Sequence, residues 1–87
     1  MANHKSAKKR ARQDEVRRDR NRKIRSEVRT VVKKLNGLVA AGDAKAAADN
    51  LRVAERTLRK AASKGVLPQR RASRSVSRLA RSVAKLS

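Results

Sequence analysis

The sequence predicts an all-α protein: a three-helix up-down-up antiparallel bundle with a long, basic first helix that projects beyond it. Three observations carry this. Apolar residues recur at helical spacing, glycine with aspartate or proline divides the chain at two places, and the first of the three resulting segments is much the longest. Nothing alternates with period two over a useful length, so no sheet is expected.

The first division is Gly42-Asp43, which reads as a left-handed helix C-cap beside the N-cap of the next helix. The second is Gly65-Val66-Leu67-Pro68, with Leu67 pushed towards extended backbone and Pro68 suited to a first helical turn. The segments are therefore about 5 to 41, 43 to 64 and 68 to 86, and connections this short favour antiparallel neighbours. In the first segment Ile24, Val28, Val31, Val32, Leu35, Leu38 and Val39 fall within an arc of about 120°. In the second, Ala44, Ala47, Ala48, Leu51, Ala54, Leu58, Ala61 and Ala62 form a comparable stripe, with Val53 off it. In the third, Ala72, Val76, Leu79, Ala80, Val83 and Leu86 share one face.

Length separates the first helix from the others. At about 1.5 Å per residue it would run roughly 55 Å, against about 30 Å for each of its neighbours, so its N-terminal half cannot be covered by them. From Lys5 to Lys23 the cations Lys5, Lys8, Lys9, Arg10, Arg12, Arg17, Arg18, Arg20, Arg22 and Lys23 point all round the helix. A helix polar on every side gains nothing from packing, and cations in its first turn oppose the macrodipole. The expectation is one domain over residues 1–87, in which an arm at 1–23, frayed when free and ordered inside nucleic acid, is continuous with a bundle at 24–87.

Composition narrows the partner. Lys and Arg outnumber Asp and Glu by 26 to 7, a formal charge of +19 on 87 residues. Such a chain repels itself and needs a polyanion, and phosphates serve best because each one neutralised also releases condensed counterions. A membrane surface would require apolar or aromatic anchors opposite the charge, and the chain has no Phe, Trp or Tyr. Its longest apolar stretch, around Leu38 to Ala41, is far too short to span a bilayer, and Met1 to Arg12 lacks the apolar core of a signal peptide. Elimination therefore points to the cytoplasm. The missing aromatics also remove the stacking platform of modules that read single strands, leaving phosphate and shape recognition of a folded nucleic acid by Arg and Lys.

The sharpest surface signal is in the third helix. Arg70, Arg71, Arg74, Arg78, Arg81 and Lys85 fall within about 100° of arc, nearly opposite the apolar stripe, with Ser73, Ser75, Ser77 and Ser82 between or beside the two faces. A merely solvated face would gain from mixed signs, but no acid stands in this helix. The string from Arg70 to Ser73 resembles a basophilic kinase substrate, yet helical spacing already accounts for it. The acids have plain roles. Asp43 fits a cap, while Asp14 with Arg18, Asp19 with Lys23, Lys23 with Glu27, Lys45 with Asp49 and Glu55 with Arg59 are i,i+4 pairs; Glu15 has Arg18 three residues on. His4, the sole histidine, fits a neutral phosphate or base-edge contact better than a metal ligand, since the chain has no cysteine or second histidine. No phosphate loop, nucleophile elbow or metal signature occurs. The chain is expected to be no enzyme, to need no cofactor, metal, small-molecule substrate or membrane, and to form no homo-oligomer. A nucleoid-type DNA-compacting protein is the alternative; it would need a dimerisation surface or minor-groove wedges. A cationic membrane-active helix is weaker still.

The opening Met1-Ala2-Asn3-His4-Lys5-Ser6-Ala7-Lys8-Lys9-Arg10 closely resembles the start of the family of bacterial small-subunit ribosomal protein number twenty. Asn21-Arg22, Arg25-Ser26, Arg29-Thr30 and Lys33-Lys34 resemble its first helix, Ala41-Gly42-Asp43 its first turn, and Ala62 to Leu67 its second. Ala72, Arg74, Ser77, Arg78 and Leu79 are similar to its closing basic helix. Departures are Pro68 and Arg70, where that family usually has His and Asn, and Ser75 and Val76, where lysines are common. The resemblance implies a structural protein of the small subunit whose first helix lies among helices of small-subunit ribosomal RNA, supporting assembly, with neighbouring ribosomal proteins as further partners. It carries contacts over to Asn3, Lys5, Ser6, Lys8, Lys9, Arg10, Arg22, Arg25, Arg29, Arg74 and Arg78. The charge pattern adds Arg12, Arg17, Arg18, Arg70, Arg71 and Arg81 as candidates, joined by His4 as a neutral contact and by Ser77 from the stretch similar to the family's closing helix.

Overall fold

The computed structural model describes residues 2–86, with side chains from Ser6 onward. Three helices follow in order, α1 (Ala2–Ala41), α2 (Ala44–Ser63) and α3 (Gln69–Ala84), and no strand occurs among the described residues.

Both turns are built by a glycine in the left-handed region. Gly42 has φ +76°, which lets its N–H donate to the Val39 carbonyl at 3.1 Å and the Asp43 N–H to that of Leu38 at 3.2 Å. These bonds satisfy carbonyls that the helix end leaves orphaned. Asp43 then starts α2 at once, its Oδ1 accepting from the Ala46 N–H at 3.1 Å. At the second turn Gly65, also at φ +76°, donates to Ala62, and the Val66 N–H reaches back to the Ala61 carbonyl at 2.9 Å. This bonding pattern is commonly completed by an apolar contact across the turn, and Val66 supplies it, buried against Ala61 and Ile24. Sequence periodicity left Val66 out of the core because it belongs to no helical stripe. Pro68 stands one residue earlier than expected, capping α3 from extended backbone at φ −60° and ψ 142°, with its carbonyl accepting from Ala72.

α2 lies between α1 and α3 and packs on both, while α1 and α3 touch each other least. Small side chains make this possible. Ala47 and Ala54 are fully buried on α2, bringing neighbouring backbones close around Leu35 of α1 and Leu58 of α2, the two largest fully buried side chains. Ala72, Leu79 and Val83 complete that cluster from α3, and Ile24, Ala61 and Val66 form a smaller one at the other end. Ala48, expected in the stripe of α2, is exposed at its margin, whereas Val53 is exposed as its position off the stripe implied.

Among the residues whose side chains are described, the first buried one is Ile24, and all from Ser6 to Arg20 are exposed. The molecule is accordingly a rod with a thickened end, 65 × 20 × 14 Å, with a radius of gyration of 17.5 Å. A compact chain of this length would have about 12 Å. The excess is α1 running on alone.

Candidate nucleic-acid interface

Helical geometry sorts the cations of α1 into two arrangements. Along the arm, Lys8, Lys9, Arg10, Arg12, Arg17 and Arg18 are all exposed and, with the exposed Ser6, present charge and hydrogen-bonding groups in every direction. The side chains of Asn3, His4 and Lys5 lie outside the described residues. Further along, steps of three and four residues keep Arg18, Arg22, Arg25, Arg29 and Lys33 on one side, a ridge about 22 Å long that passes from the arm onto the bundle. Arg18, Arg22, Arg25 and Arg29 border a shallow groove of about 500 Å³ with Asn21 and Ser26, and no acid lines it. The Asn21 side-chain oxygen is buried there with no hydrogen-bond partner among the described residues.

The ridge then meets α3. Because α2 separates the outer helices on one side only, a groove of about 800 Å³ opens between α1 and the turn leading into α3. Arg25, Arg29 and Lys33 edge it from α1 and Arg71 from α3, over a floor that includes Val28, Val32, Val66, Leu67 and Pro68. Tertiary structure thus brings Arg25, Arg29 and Arg71 together across more than forty sequence positions. Arg70, Arg74, Ser77, Arg78 and Arg81 are exposed along α3, on the side its apolar stripe leaves open. Ser82, beside them, donates its hydroxyl to the Arg78 carbonyl at 3.1 Å, an i−4 bond within its own helix.

A second cationic groove escaped sequence reasoning. Arg20 and Lys23 of α1 face Arg56 and Lys60 of α2 and its C-cap residue Lys64 across about 370 Å³, with Glu27 the one acid among the lining residues. The spacing of Arg56, Lys60 and Lys64 was legible as one helical face, and no acid follows Glu55 in the chain. The apolar stripe and the i,i+4 pairs of the second helix do not reveal this face, because its facing cations stand on α1. Val16 also went unremarked; it is 69 % exposed and is the one large aliphatic residue on the arm.

Ion pairing does little to mask this charge. Of the i,i+4 pairs expected, Glu55 and Arg59 close at 3.1 Å, and this is the one salt bridge among the described residues. The others stay apart because an exposed pair gains at most a few tenths of a kcal/mol, little more than the entropy of holding two long side chains still.

An elongated, all-helical scaffold, cationic along a free arm and around a small core, defines a class of basic proteins whose surface exceeds what their own packing can use. Comparison gives that class a family. The family model for ribosomal protein S20 matches residues 2–84, and the chain belongs to that family. It is 49 % identical over 87 residues to the small ribosomal subunit protein bS20 of Wolinella succinogenes, covering 100 % of this chain and 96 % of that protein. The bS20 proteins of Geotalea daltonii and Anaeromyxobacter sp. (strain K) are each 52 % identical, over 87 and 85 residues, covering 100 % and 98 % of this chain and 100 % and 93 % of theirs. The resemblance read from the opening residues is therefore correct. Members of this family are ribosomal structural proteins, not enzymes, and in bacteria a small-subunit protein is cytoplasmic, as elimination had placed it. No described helix is long and apolar enough to cross a membrane.

Proposed function

We propose that this chain is a structural constituent of the small ribosomal subunit that binds small-subunit ribosomal RNA directly, clamps it through phosphate and shape contacts, and supports assembly of the subunit. The observation that carries the reading is the continuous cationic ridge from Arg18 to Lys33, joined to an arm charged on every side. A flat protein surface can neutralise phosphates on one face of an RNA. A rod charged all round does so on several faces at once, and this matters where RNA helices converge and repel one another. The thickened end sets how far the rod can enter. Neighbouring ribosomal proteins are further partners within this reading, and no cofactor takes part.

Equilibrium binding across a salt series tests it, with folded small-subunit ribosomal RNA against duplex DNA of equal length. With six to ten phosphate contacts, affinity falls by roughly 10³ to 10⁵ between 50 and 200 mM salt. The RNA is expected to remain the preferred ligand throughout. Indifference between the two polymers at moderate salt would sink the ribosomal reading and favour DNA compaction.

A further inference from the structure

The groove between α1 and the α2–α3 turn differs chemically from the rest of the cationic surface. Phosphate binding needs cations and gains nothing from an apolar floor. Yet Val32 and Leu67 are only half-buried there and Pro68 is exposed, in a chain with few large aliphatic residues to spare. Apolar surface left beside four cations is suited to a ligand that is anionic on one side and has a flat, weakly polar face on the other.

Three features narrow the ligand to a nucleotide. Arg25, Arg29 and Lys33 stand at i, i+4 and i+8 along α1, about 6 Å apart in projection, comparable to one step along a ribose–phosphate chain. Arg71 faces them from the opposite wall, where its planar guanidinium can cover a base as well as meet a phosphate. No Asp or Glu lines the groove. A docked protein helix would need a long apolar trough, but the α3 side contributes only the turn and its first helical turn, so the apolar floor is a short patch. A fully paired A-form helix would not use that patch either, because its base faces are stacked inside.

We propose that this groove seats one unpaired ribonucleotide of the folded RNA, its base against Val32, Leu67 and Pro68 and its flanking phosphates on Arg25, Arg29 and Lys33. The inference rests on the RNA-binding reading above and adds to it a site that recognises an unpaired base without an aromatic platform.

The test uses the full chain and two short RNA hairpins that differ only in a single bulged 2-aminopurine. At a salt concentration where both bind measurably, the bulged hairpin is expected to bind about tenfold more tightly, comparable to the lower end of what stacking one base on an aromatic side chain contributes. The fluorescence of the bulged base should change on binding. Pro68→Ser, which keeps a residue suited to capping α3, should erase most of that preference while leaving the paired hairpin's affinity and the helicity unchanged. Leu67→Gln should erase it too, and because Leu67 also packs against the core, its binding is compared at a temperature where circular dichroism shows the bundle folded. Arg71→Gln should weaken the bulged hairpin more than the paired one. Equal binding of both hairpins, or a preference that survives Pro68→Ser and Leu67→Gln together, overturns the groove assignment and leaves the RNA-binding reading standing. If neither hairpin binds better than duplex DNA of the same length, the RNA-binding reading itself has failed. Self-association of the free chain, or binding of an acidic amphipathic peptide, that is lost in Leu67→Gln would give the groove to a protein and overturn the proposal.

Discussion

The two halves of α1 share one backbone geometry and have opposite reasons to exist. Beyond Ile24 the helix is held by Leu35, its partly buried aliphatic neighbours and the facing alanines of α2. Before Asn21 no described side chain is even half-buried, and cations surround the axis. One half is stabilised by burial within the protein. The other has only backbone hydrogen bonds, which in water barely offset the entropy of forming a helix. The difference teaches that helical geometry alone says nothing about what stabilises a helix; here no described side chain of the arm from Ser6 to Arg20 is buried by the rest of the molecule.

The contrast breaks most easily under truncation. Deleting Met1 to Arg20 removes eight cations from several faces, whereas reversing charge at Arg74 and Arg78 alters two on one face. Each lost phosphate contact lowers the magnitude of the salt slope by up to about one unit, so the deletion should flatten the slope for ribosomal RNA far more than the double substitution. Circular dichroism should show the bundle intact, because every described core residue lies beyond the cut. A slope unchanged by the deletion, with helicity preserved, would show that the arm is not the main RNA-binding element.

Amide exchange on the free protein sharpens the same division. Residues before about Ile24 are expected to exchange close to the rate of an open chain, while amides around Leu35 and Leu58 exchange only with opening of the bundle. Equal protection from Lys8 through Leu38 would mean that the arm is stabilised from within.

Core substitutions should act on the thick end alone. Leu58→Ala removes a fully buried side chain and should cost about 2 to 5 kcal/mol in a urea melt. The corresponding change on the arm, Val16→Ala, should leave the midpoint unmoved. A smaller effect is expected at the turn. Gly65→Ala meets no neighbouring atom, but φ +76° is unfavourable for a residue with a Cβ and should cost about 1 to 2 kcal/mol. Crowding plays no part there, so a loss well beyond that range would mean that Val66 has also left its seat against Ala61 and Ile24.

Much of this architecture was legible in advance because it is governed by local chemistry. Gly42 and Gly65 provide the left-handed conformation that ends a helix, Asp43 offers the oxygen that starts one, and periods of three and four residues mark the buried face of each segment. The candidate contacts were legible to the same degree where charge is local, on the arm and along α3. They were missed where two helices contribute, as with Arg56, Lys60 and Lys64 against Arg20 and Lys23. The burial of Val66 was missed for a related reason. It is made by the turn's own hydrogen bonds and by Ile24, some forty positions away, and so follows no helical period.

By itself, then, the sequence determined the three helices, their breaks, the length of the arm and the sign of its charge, since these depend on residue type and on neighbours within a turn or two. Only the tertiary structure decided which outer faces meet. It placed α2 in the middle, left α1 and α3 splayed on the other side, and so set Arg71 opposite Arg25 and Arg29 over Val32 and Leu67. The physical reason is that burial is non-directional. An apolar stripe requires that something cover it, but only packing among all three helices selects the neighbour and leaves the remaining surface open as a groove.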